Sequence, residues 1–280
     1  MATITTQTPG APVLPPPSSR AGLGGTLRSE FTKIRSVRST WWTLLVLVVI
    51  SVGIGAAISA GVSANWSHTS ASDRATFDAT QVSVAGLFFL GQLVIVVLGA
   101  IVLTAEYSTG MIRTSLTAMP RRATLYAAKA IVFAAIALVV TVITAFVAFF
   151  LGQAIMTSTH ASATLSQPDV LRAVVGVALY VTLCGLFAFA VGTVFRHTAA
   201  TITSVIGLLF VIPILAHLLP GSWYDDIARW LPSSTGDAIS VTVGSGPDHL
   251  FSPWGQFAVY AVYTAVLLIV GGVLFRKRDA

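Results

Sequence analysis

Side chains able to do acid–base, nucleophilic or metal chemistry are scarce in this 280-residue sequence, and their spacing excludes most of what they could support. The lysines are Lys33, Lys129 and Lys277, and none follows a glycine, so the Gly-Lys pair of a Walker-type phosphate loop is missing. The glutamates are Glu30 and Glu106, and neither follows a histidine, so no HExxH zinc helix can form. No serine has glycines at both minus two and plus two, which removes the GxSxG nucleophile elbow. His68, His160, His197, His217 and His249 are scattered without metal-ligand spacing. His217, one turn after Pro213, reads as an interfacial or helix-packing residue. A lone cysteine, Cys184, permits neither an internal disulfide nor a thiolate cluster, and reads as a small buried residue. The expectation is a chain with no catalytic residues, no metal and no cofactor of its own.

Three polar segments remain. In 26–40, Leu27, Phe31, Ile34, Val37 and Trp41 recur at spacings of three and four, with Arg28, Arg35 and Arg38 off that stripe. Such a helix lies in a headgroup layer with its cations near anionic lipid. The second segment is 106–122. Ser108 or Thr109 can cap a short helix there, Glu106 would sit at its N-terminal dipole, and Pro120 stops it. Ile112 and Leu116 then share a face beside Met111, which suits a groove on another protein as well as it suits a plain basic loop. The third is 220–255, where Trp223, Tyr224, Ile227, Trp230 and Leu231 form an apolar helical face ended by Pro232. So long a segment is expected to hold an interfacial or re-entrant helix.

The elements that position these segments follow from composition. Apolar residues make up 55% of the chain and charged residues 9%, and the mean hydropathy is +0.85. A soluble domain carries about 25% charged residues, so the bilayer must be the solvent. Six stretches, approximately 41–62, 81–104, 127–151, 171–195, 198–219 and 256–275, reach the ~20 apolar residues needed to cross a hydrocarbon core. All must be helical, because lipid offers backbone amides no partner. The fold class is therefore an all-α integral membrane protein. Residues 1–25, rich in Pro, Gly, Ser and Thr, read as a disordered cytoplasmic tail before a six-span domain at 26–280. No cleavable signal peptide is expected, since the first apolar run is too long for one. Of 16 basic residues, 13 fall in the N-terminal tail, the second-to-third loop, the turn at Arg196 and the C-terminus, against Arg74, Arg172 and Arg229 elsewhere. That asymmetry predicts cytoplasmic termini and a multi-pass chain in the cell membrane.

The order of an amphipathic helix (SEFTKIRSVRSTWWTL), six spans, an EYSTGMIRTSLTAMPRR loop and a long outer segment before the last span resembles the permease subunit of ABC transporters of the type-2 exporter class. The likeness covers roughly 26–280. Its most specific part is E-Y-x-x-G-x-I-R…P-x-R, which resembles that family's coupling region. The resemblance implies that Glu106, Gly110, Arg113, Pro120 and Arg121 belong to this region, with Met111, Ile112 and Leu116 on its helix. Met111 stands where a small polar residue is more usual. It also implies that 26–40 is a connecting helix and 223–231 a short external helix. Two permeases, a second copy or a paralogue, would work with separate ATPase subunits that carry the ATP and Mg. A pathway between the second and fifth spans would offer Phe88, Phe89, Gln92, Thr201, Thr203, Ser204 and Pro213 to a hydrophobic or amphipathic compound. A secondary transporter would need intramembrane ionisable groups, which are nearly lacking. A membrane scaffold or sensor subunit stays open.

Overall fold

The computed structural model describes residues 22–118, 121–159, 161–242 and 251–277. Six helices among them are long and apolar enough to cross a membrane. They are α2 (Arg38–His68), α3 (Ala79–Ser108), α5 (Arg122–Thr159), α6 (Val170–Phe195), α7 (Thr198–Ala216) and α10 (Pro253–Lys277). Shorter helices flank them: α1 (Leu23–Ser36), α4 (Met111–Ala118), α8 (Gly221–Ala228) and α9 (Pro232–Asp237). No strand occurs among the described residues. Each expected apolar stretch lies almost wholly within one spanning helix; only 217–219 run past the end of α7.

Local chemistry sets the ends. Asp78 caps α3 by accepting from the Gln81 amide at 2.9 Å. Between α6 and α7 the chain turns at Arg196, whose φ of 56° is left-handed, and the His197 side chain caps α7. The predicted stripe from Leu27 to Trp41 is not one helix. Val37 is extended, so α1 and α2 are separate rods, bridged by Trp41 Nε1 donating to the Arg35 carbonyl at 3.0 Å.

The sequence places Cys184 mid-span, and the structure makes its helix the centre of the bundle. The most apolar stretch of α6 is 72% buried, against 17% for α10. Helices α3, α5, α7 and α10 all pack on α6. Close approach depends on small residues: a Cβ on Gly99 of α3 would lie 2.2 Å from the Gly185 carbonyl oxygen of α6. The core runs through Leu47, Val84, Ile95, Phe149, Val181 and Tyr260.

Two spans are irregular. Leu87–Gly91 in α3 and Gly207–Val211 in α7 are π-helical, one extra residue in the turn; the first follows Gly86 and the second begins at Gly207.

Candidate functional site

At the end of the bundle that gathers the basic residues, α3 ends at Ser108 and the chain reverses at Gly110, whose φ is +71°. Nothing lies near the position of a Cβ there, so the conformation itself is what calls for glycine. Ser108 and Thr109 do not cap the next helix; their hydroxyls donate back to the Ala105 carbonyl. The reversal lays α4 against its own chain. Ile112 is only 3% exposed and packs with Leu103, Leu125 and Phe275, and half-buried Leu116 leans on the same cluster. The face expected to meet a partner therefore turns inward. Among the described side chains of α4, Met111, Thr114 and Thr117 are exposed. Arg113 lies on α4, exposed Arg121 precedes α5, and Pro120 falls outside the described residues.

Glu106 also departs from expectation. It occupies the last turn of α3 rather than a loop and is 5% exposed. Lys129 of α5, 1% exposed, donates to Glu106 Oε1 at 2.6 Å and to Glu30 Oε2 of α1 at 2.8 Å. Lys33 of α1 also pairs with Glu106. Both glutamates of the sequence and two of its three lysines thus meet in one group. Burying charges at this depth is costly unless each finds an opposite partner, and here α1, α3 and α5 supply them. Spacing could not reveal this, because the partners lie 23 and 99 residues apart. The rarity of Glu and Lys was the available signal.

Neighbouring ends are tied in as well. Thr198 donates to Thr104 at 2.8 Å, the Arg196 guanidinium lies 4.9 Å over the Tyr107 ring, and Arg122 donates to the Arg276 carbonyl at 3.4 Å. The start of α7 is bonded to the end of α3 and α5 is bonded to α10, and the apolar cluster around Ile112 joins the two pairs into one platform around α4.

The candidate pathway residues divide. Gln92 is buried and donates to the Tyr180 hydroxyl at 3.0 Å, while Phe88 stacks on the same ring at 5.5 Å. Thr201 is buried and bonds the His197 carbonyl. Phe89, Thr203 and Ser204 face outward, and Pro213 is half-buried just after the π turn of α7. The inward set packs the bundle; the outward set lies on its surface.

At the opposite end, α8 exposes Trp223 and Ile227, with exposed Trp230 just beyond it, as an interfacial helix would. After Pro232 the chain enters the bundle instead. Thr235, Gly236, Ile239 and Ser240 are buried, and a Cβ on Gly236 would lie 2.4 Å from the Tyr180 ring. Arg172 donates to the carbonyls of Ile239 and Val241 at 2.8 and 2.9 Å, and the Thr242 amide donates to Asp78 at 2.7 Å. Burial, reinforced by the charge of Asp78, pushes the Asp237 carboxyl up to about 6 against the lowering pull of the Ser240 hydroxyl.

Among the described residues, no group of three or more His, Cys, Asp or Glu side chains is placed to hold a metal. A family described as ABC-2 family transporter protein matches residues 26–215, from within α1 to the penultimate residue of α7. No curated protein matches the sequence.

Proposed function

The chain belongs to the ABC-2 transporter family, a membrane transport component, and from that premise we propose that it is the permease of an ATP-driven exporter. It works with a separate ATPase chain, which holds ATP and Mg, and with a second permease. The basic end of the bundle is cytoplasmic, α1 is the connecting helix, α4 is the coupling helix and α8 the external helix. The observation that carries the reading is the α4 platform: a short helix seated by Ile112 and Leu116, presenting Met111, Thr114 and Thr117 outward.

With no phosphate-binding loop in the sequence, energy must reach this chain through contact. ATP-driven closure of the partner would press on Met111, Arg113 and Arg121. The bonds from Thr104, Tyr107 and Arg122 would pass that displacement to α3, α5, α7 and α10 together. The two π turns lie in the second and fifth spans, where the resemblance sets the pathway. Outward-facing Phe89, Thr203 and Ser204 would line it opposite the second permease and carry a hydrophobic or amphipathic compound.

The test is co-purification with a co-expressed ABC ATPase chain from the same genome. Met111→Asp should release the partner while leaving the monomer folded. Ile112→Asp should lower folded yield itself, and Arg113→Ala should keep the partner but lower transport per ATP hydrolysed. Full partner retention and transport in Met111→Asp would remove α4 from coupling. For orientation, single cysteines at 70 and 115 in a Cys184→Ser background should react with an impermeant thiol reagent from outside at 70 only.

A further inference from the structure

Beside the ion-paired group, three cavities run in series between α1 and the basic ends of α3 and α5. The first is an open surface depression lined by Arg28, Ser29, Thr32, Lys33 and Ser36 of α1, cations and hydroxyls without a carboxylate, and by Met111. The second, about 220 Å³, shares Lys33 and Met111 with it. Above a floor of Glu30, Glu106 and Lys129, its walls are Ile34, Val37, Leu98, Ile101 and Val102. A third of about 20 Å³ continues from Ile34, Leu98 and Val102 to Phe133, Ile136 and Ala137.

The series passes from cations and hydroxyls, through a mixed zone, to hydrocarbon. That is the order of polarity along an ionised amphipath. The second cavity has the volume of roughly seven waters, yet its walls offer water few partners. Ile101 and Met111 on its rim are 40% and 48% exposed, so the cleft opens sideways, level with the ends of the spans. Lys33 has three donors and gives one to Glu106, which leaves it able to meet an anion.

We propose that this cleft binds one anionic phospholipid of the inner leaflet. Its phosphate rests on Arg28, Lys33 and the Ser29 hydroxyl, and one acyl chain runs along Ile34, Leu98 and Val102 toward Phe133. The site is separate from the transport pathway and rests on the basic end being the inner one.

The test uses the full chain in nanodiscs of phosphatidylcholine with a minor fraction of phosphatidylglycerol, each lipid supplied in turn with a photoreactive diazirine on its chain. Phosphatidylglycerol should label 98–102 and 133–137 in preference to phosphatidylcholine. Arg28→Glu should cut that preference roughly five- to thirtyfold. Ile101→Trp, at an exposed rim position, should block labelling at 133–137 with the protein still monodisperse. Equal labelling by both lipids, unchanged in Arg28→Glu, would mean annular lipid only and overturn the proposal. Labelling that appears only after removal of residues 1–21 would mean that the chain's own N-terminus fills the cleft, and would overturn it too. Thiol labelling at position 115 reports orientation independently, so a failure of orientation is told apart from a failure of the site.

Discussion

Both ends of the bundle bind a non-spanning segment, but by different physics. At the basic end, α1 is held mainly through side chains: Glu30 and Lys33 meet Lys129 and Glu106 in a buried ion group, and the Arg35 carbonyl in its last turn takes a bond from α2. At the other end, 232–242 is held largely through its backbone, with Arg172 on two carbonyls, Asp78 on an amide, and Gly236 admitting the chain against Tyr180. A regular helix has satisfied its own amides and has only side chains to offer. An irregular segment inside a bundle has unsatisfied backbone groups, and the surroundings must meet them. Side-chain pairing fixes one rod as a unit, and backbone capture fixes a path.

The largest single effect belongs to the ion group. Lys129→Met leaves Glu30 and Glu106 buried and short of a cation, and should cost ~3–5 kcal/mol. Thermal unfolding in detergent reads this, and adding Glu30→Gln should recover part of the loss by removing one orphaned charge. No recovery would mean that packing, not charge, seats α1. Arg172→Met should cost about 1.5–3 kcal/mol by leaving two buried carbonyls without their charged donor. Proteolysis should then open 232–242 before the rest of the bundle. Gly236→Ala should cost ~1–3 kcal/mol, because its methyl group meets the rings of Tyr180 and Tyr260. Equal thermal stability of this variant and wild type would break the idea of a backbone pressed onto aromatic rings.

The smallest effect is a pH dependence confined to the same segment. The folded Asp237 value of about 6 lies above the ordinary aspartate value of 3.8, so the fold favours the protonated acid. Its contribution to stability is full below about pH 4, is lost as pH rises to about 6, and is flat above. Asp237→Asn should raise the melting temperature by a few degrees at pH 7.5 and change little at pH 4. A shift of the same size at both values would remove ionisation as the cause.

The spans were legible because a hydrocarbon core demands long apolar runs, and the division at Arg196 and His197 was legible from charge between two such runs. The helix at 111–118 was legible from spacing, but its orientation was not. The spacing of Ile112 and Leu116 shows that they share a face, while the left-handed Gly110 decides where that face points. Glu106 was misplaced because a charge after an apolar run reads as a loop residue until its partner is known. For 220–255 the sequence left an interfacial and a re-entrant helix open; the Ser, Thr and Gly after Pro232 are polar or small, and those are the residue types that allow a close-packed path among Tyr180 and Tyr260. The π turns left no spacing signal at all, since one extra residue in an all-apolar run changes nothing visible.

The 99 residues between Glu30 and Lys129 also set a timetable. Helix α1 leaves the ribosome first, but the cation that neutralises Glu30 is made about 5–20 s later at ordinary elongation rates. During that interval α1 has no interior to enter. Its half-exposed Phe31 edge gives it a membrane surface on which to wait. The segment 232–242 waits less: its polar partners Asp78 and Arg172 and the Tyr180 ring are all made before it, and only Tyr260 of α10 follows, 24 residues after Gly236. Insertion of α5 is therefore the event that closes the N-terminal half of the molecule, and a chain stalled before Lys129 would carry an unseated α1.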